Sequence, residues 1–79
     1  MTKSDEQVKA VVAEMFKLSV DELSGQKRLV QDLNIKSANR INLSVELEET
    51  FGIEINIFEV LKVQTLQELF DLVDSKVGG

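Results

Sequence analysis

The sequence predicts an all-α fold, a small four-helix bundle with three longer helices, one short helix and a long first loop. Three observations carry that expectation. Apolar residues recur at three- and four-residue steps in separated stretches. The one alternating run, Ile53-Glu-Ile-Asn-Ile57, has no second strand to pair with in so short a chain. A length of 79 residues, 43% of them hydrophobic and 29% charged, suits one globular domain over 1–79 and leaves no room for two. All four aromatics are Phe, so aliphatic side chains must supply most of the core.

The first helix is expected to begin near Ser4, where Ser4 and Gln7 have capping-box spacing, and to bury a stripe of Val8, Val11, Val12, Met15 and Phe16. From Leu18 to Lys36 the apolar residues keep no helical period and Ser24-Gly25 interrupts them, so this segment reads as a long connection lying over the core. A second helix fits Ser37 to Phe51, with Leu43, Leu47 and Phe51 facing inward, Ala38, Ile41 and Val45 forming a narrower row beside them, and Gly52 as the left-handed stop. Residues 53–57 read as an extended link. A short helix is expected over about Phe58 to Leu61. Thr65 then opens the last helix with Glu68 completing a capping box, its inward stripe being Leu66, Leu69, Phe70 and Val73 and its Val77-Gly-Gly end frayed. The long first connection makes this a bundle with a crossover rather than an up-and-down array.

Composition removes several kinds of function. With no Cys and no His there are no disulfides, thiolate nucleophiles, imidazole bases or common zinc sites. Glu46, Glu48, Glu49 and Glu54 lack the spacing and central glycine of a calcium loop, no Gly-rich phosphate cradle exists, and the pair Asp21-Glu22 has no cleft for a sugar in so small a bundle. No metal site and no enzyme activity are expected. The net charge of −5 disfavours nucleic acid. Its distribution is uneven: seven basic against six acidic residues through Val45, then two against eight from Glu46 onward. Partners steered by charge should be drawn to the second half. No stretch reaches membrane-spanning length, and a cytoplasmic monomer is the expectation.

Ser37 is the residue on which chemistry would centre. It stands at the mouth of the second helix, where serine is also a favoured N-cap. Its surroundings read Leu33-Asn-Ile-Lys-Ser-Ala38, then Leu43, Leu47, Glu48-Glu-Thr-Phe51 and Gly52-Ile-Glu-Ile55. This layout resembles the acyl carrier proteins, whose motif is Leu-Gly-X-Asp-Ser-Leu followed by a Leu-rich helix ending in Glu-Glu-Phe. Val20-Asp-Glu-Leu23, Leu29-Val-Gln-Asp-Leu33 and Thr65-Leu66 extend the resemblance over nearly the whole chain.

The resemblance implies a carrier whose Ser37 bears a covalent 4′-phosphopantetheine arm, with phosphopantetheinyl transferase and acyl-transfer or synthase enzymes as partners. A helix N-terminus favours the phosphate, and Lys36 and Arg40, the latter one turn further along, would screen or hold it. The implied partner face comprises Ala38, Asn39, Ile41, Asn42, Val45, Glu46, Glu49 and Phe58, and the implied acyl shelter Leu43, Leu47, Phe51, Ile55, Val60 and Val63. Each member of the shelter is equally a core residue. Two features depart from the family: Lys36 and Ala38 replace the Asp and Leu that flank the serine, and Asn39 and Asn42 stand where acids are usual. Fatty acid, lipid or secondary-metabolite synthesis, polyketides included, are the expected settings. The alternative is an unmodified carrier-like module that binds a protein through the second helix and the Ile57–Leu61 patch. Phe58 either lies exposed in that patch or folds inward to supply a core aromatic.

Overall fold

Helices form where the apolar periodicity puts them. The computed structural model describes residues 3–78 and contains α1 (Lys3–Phe16), α2 (Ser37–Phe51), α3 (Ile57–Lys62) and α4 (Leu66–Gly78), with a 3₁₀ turn at Val20–Glu22. Among the described residues no strand forms; residues 53–56 form the link, and Ile57, expected in it, instead opens α3, which runs one residue further at each end than the expected Phe58–Leu61. α1 packs on α4 and α2, and α3 packs on α2. Val8 and Val12 of α1, Leu43 and Leu47 of α2, Val60 of α3, and Leu66, Leu69, Phe70 and Val73 of α4 are buried together. The core is aliphatic except for Phe70.

The two ends of the chain also differ from the sequence expectation. α1 already includes Lys3, so Ser4 is a buried residue within the helix rather than its cap, and the Ser4 hydroxyl donates to Asp74 Oδ1 of α4 at 2.6 Å. α4 runs through Gly78 instead of fraying at Val77, and Gly79 lies outside the described residues.

The long connection earns its stability by burying Leu23, Leu29 and Ile35, each at most 1% exposed. It also completes α4. The first four N–H groups of a helix lack partners within it. In α4 the Leu66 and Gln67 amides donate to the carbonyls of Lys27 and Gly25, the Glu68 amide donates to Thr65 Oγ1 at 3.2 Å, and that of Leu69 to the Thr65 carbonyl. Glu68 Oε1 accepts in return from the Thr65 amide at 3.1 Å, which closes the expected capping box. A further bond from the Leu29 amide to the Gln64 carbonyl laces the connection to the α3–α4 junction. A Cβ at Gly25 would meet Gln67 Oε1 at 2.5 Å, so a larger residue there would make the Gln67 side chain swing aside. The chain segment leading to Ser37 is therefore held against the α3–α4 junction.

Gly52 ends α2 at φ 64°, with its amide bonded to the Glu48 carbonyl at 2.8 Å. Glu48 Oε2 then accepts from the Ile55 amide at 2.9 Å and fixes the link to α3. Asn56 caps α3, its side chain accepting from the Phe58 amide at 2.8 Å while Glu59 returns a bond to the Asn56 amide. Lys76 of α4 pairs with Glu59 at 3.1 Å and holds that carboxyl below its ordinary range.

Candidate functional site

The backbone before α2 determines how Ser37 is displayed. Arg28 is bonded to Asp32 through both its main-chain amide, at 2.8 Å to Oδ2, and its guanidinium, at 3.2 Å. The same contacts keep the Asp32 carboxyl below its ordinary range. Amides of Asp32, Leu33 and Asn34 close the turn onto the carbonyls of Arg28 and Val30. Asn34 then takes a left-handed φ of 58°, a conformation that Asn tolerates better than other residues with a Cβ. It occupies the position of Gly in the resembling motif, and the substitution is explained by that φ. The turn drops Ile35 into the core, fully buried, and sends Lys36 out in extended conformation as the N-cap of α2.

Ser37 is thus the first residue of α2 and not its cap. Its hydroxyl is exposed and makes no hydrogen bond among the described residues, and Lys36 contributes no side-chain cap. In contrast to α4, the start of α2 keeps its leading N–H groups open. An exposed hydroxyl beside open amides at the positive end of a helix suits a phosphoester.

Arg40 is placed differently from expectation. It is 7% exposed, and its Nη1 donates to the carbonyls of Leu61 at 2.8 Å and Val63 at 3.0 Å, tying α2 to the end of α3. The expected phosphate contact one turn along from Ser37 is therefore a buried residue already committed to two backbone carbonyls. Its Nε has no hydrogen-bond partner, and no carboxylate pairs with it among the described residues. A cleft of about 630 Å³ opens here, bounded by Ser37 and Arg40 of α2, Arg28 of the connection, and Lys62, Gln64 and Thr65 of the α3–α4 junction. Arg28 and Lys62 carry no signal in the sequence that ties them to Ser37, since only the lacing of the connection to the junction brings them together.

The remaining site residues divide cleanly. Lys36, Ala38, Asn42, Glu46 and Glu49 are exposed, Ile41 and Val45 are each 50% exposed, and Asn39 is half-buried. Phe58 is 67% exposed, so it does not fold inward. Of the expected acyl shelter, Leu43, Leu47, Ile55, Val60 and Val63 are buried in the core and Phe51 is half-buried against it. None of the six borders the cleft beside Ser37.

Comparison with known proteins settles the family. A family model described as "phosphopantetheine attachment site" matches residues 6–73. The chain is 35% identical over 74 residues to an acyl carrier protein of Thermosynechococcus vestitus, spanning 94% of this chain and 91% of that protein. The chain belongs to the acyl carrier protein family. It is likewise 34% identical to an acyl carrier protein of Helicobacter hepaticus, over 89% of this chain and 92% of the other. Identity to polyketide-8 synthase acyl carrier protein 2 of Streptomyces avermitilis is 29%, over 92% and 84%. The fold is shared with the solved apo doublet acyl carrier protein from prodigiosin biosynthesis, at TM-score 0.66 and 23% identity, covering 96% of this chain and 38% of the doublet.

This carrier is therefore a phosphopantetheine-bearing protein and not an enzyme, with 4′-phosphopantetheine as its covalent group. The residues present fit that group: a free exposed hydroxyl, a helix start without a side-chain cap, and a buried guanidinium without a counter-ion. Carriers of this family work with synthase and transferase enzymes. No helix among the described residues is long and apolar enough to cross a membrane.

Proposed function

We propose that Ser37 is the attachment residue and that the protein delivers acyl groups to partner enzymes of fatty acid, lipid or polyketide synthesis in the cytoplasm, acting as a monomer. The observation that carries this reading is Ser37 itself, exposed, without a hydroxyl hydrogen bond among the described residues, and first in a helix whose N-cap Lys36 makes no side-chain capping bond. When bound, phosphopantetheine supplies a thiol on a flexible arm, which a chain without cysteine otherwise lacks. Open amides at the start of α2 favour the phosphodiester, and Lys36 adds a cation within reach.

The test is intact mass spectrometry of the protein from its native cells, repeated after incubation with coenzyme A and a broad-specificity transferase. A phosphopantetheine increment located on Ser37 is expected, and additional mass on the thiol would report the cargo. An unchanged mass in both samples would overturn the reading in favour of an unmodified interaction module.

Partner choice is assigned to the outer face of α2 together with Phe58. Ile41 and Val45 provide an apolar strip, with Lys36 at its start and Glu46 and Glu49 along its length. Enzymes that dock a basic patch on the start of this helix meet Lys36 and lose affinity. Lys36→Asp is expected to raise kcat/KM with enzymes serving ordinary acidic carriers by about fivefold at low salt, the gain shrinking as ionic strength rises. Equal rates for the two proteins at every salt concentration would remove charge at this position from the explanation.

A further inference from the structure

The cleft beside Ser37 has a charge opposite to that of the protein as a whole. The chain carries −5, yet the cleft is bounded by Arg28, Arg40 and Lys62 and by no carboxylate. Arg28 has a partner in Asp32, whereas Arg40 and Lys62 have no ion pair among the described residues. Arg40 is the decisive member. Arg40 as a residue is only 7% exposed, so its charge has lost much of its hydration, and two neutral carbonyls return only part of that loss. Its Nε is sealed from solvent without a partner, which adds to the cost of the buried charge although a ligand in the cleft does not reach it. Buried charges are ordinarily paired, so the arrangement is incomplete without an anion.

We propose that this cleft is an anion-binding site and that its ligand is carried on Ser37 itself: the phosphodiester of the arm, or a carboxylate on the acyl group at its end. Ser37 stands at the cleft margin, so a group esterified there reaches the cations without leaving the molecule. Gln31, Gln64 and Thr65 add hydrogen-bonding groups to the lining, in which Val30 and Leu61 are the only large apolar members. That the ligand is carried on Ser37 rests on the proposed function above, whereas the anion site itself does not.

The experiment follows the Arg40 Nε–H resonance and the Lys62 and Gln64 amides by heteronuclear NMR in isotope-labelled, unmodified full-length protein titrated with inorganic phosphate at constant ionic strength. Saturable shifts at all three are expected, with affinity about tenfold weaker in both Arg28→Gln and Lys62→Gln, two exposed positions whose replacement leaves the core intact. Shifts that fail to saturate, or that persist unchanged in both variants, overturn the site. The same resonances are then compared in protein loaded from coenzyme A, butyryl-coenzyme A and succinyl-coenzyme A, with each loading verified by mass. Movement on pantetheinylation alone assigns the phosphodiester; further movement with succinyl but not butyryl assigns the cargo carboxylate. No movement in any loaded form overturns a ligand carried on Ser37. A chain that gains no mass defeats the carrier reading and that part of the proposal, while the phosphate titration still decides the site.

Discussion

Ser37→Ala is expected to abolish phosphopantetheine uptake completely while changing the unfolding free energy by no more than about 0.5 kcal/mol. The two halves of that expectation have separate physical origins. The Oγ is the only atom of the residue that can form the phosphoester, so uptake falls to zero rather than by a factor. Stability should hardly move, because the hydroxyl is exposed, bonds to nothing among the described residues, and belongs to the first helical residue rather than the cap. Had Ser37 been the N-cap of α2, its loss would cost about 1 kcal/mol. Intact mass after incubation with coenzyme A and transferase reads the first half, and urea denaturation of the unmodified proteins reads the second. Loss of function in step with a loss of stability would mean that Ser37 acts through the fold, and the carrier assignment of this residue would fall.

Much of this site was legible before any coordinates. The start of α2 at Ser37, its end at Gly52 and the Thr65–Glu68 capping box follow from local chemistry, in which a left-handed φ or an unpaired amide selects particular residue types. Arg40 was misplaced for an instructive reason. Its spacing from Ser37 suggested a shared outer face, but the same residue lies three and seven positions before Leu43 and Leu47, which are fully buried. That second spacing put it on the inner face, and charge alone argued for the outside. Its stable solution is to donate to the carbonyls of Leu61 and Val63, groups that no local pattern connects to α2. Arg28 and Lys62 were invisible for a related reason. Their meeting near Ser37 depends on amide-to-carbonyl bonds between the first connection and the α3–α4 junction, and backbone groups carry no residue-specific signal.

The exposure of Phe58 was an open choice between surface and core because the core had aromatics to spare or to lack depending on how the others packed. Phe70 is 3% exposed and fills that role from α4, while Phe16 and Phe51 lie half-buried against the same cluster. With those three rings in place the short α3 turns only Val60 fully inward, and Phe58 is left at the surface where a partner can meet it.

Leu43→Ala is expected to destabilise the protein by about 2–5 kcal/mol and to lower Tm by at least about 10 °C. Leu43 is fully buried in the core cluster that also holds Leu47, Val60 and Val63, so truncation removes its transfer free energy and leaves a cavity that helices braced by Arg40 and Glu48 cannot readily collapse. In a domain of this size that loss is a large share of the total stability. The substitution also discriminates between a core and a cargo shelter at these positions. A shelter must open to admit an aliphatic chain, and a chain that entered would fill the new cavity. Octanoyl-loaded Leu43→Ala would then melt several degrees above its acetyl-loaded counterpart. The expected result is equal Tm for the two loaded forms, because the cleft that opens beside Ser37 is bounded by Arg28, Arg40, Lys62 and Gln64 and by none of the buried residues that Leu43 packs among. Rescue by octanoyl would show that the core parts on loading and shelters an aliphatic cargo in the space between α2 and α3.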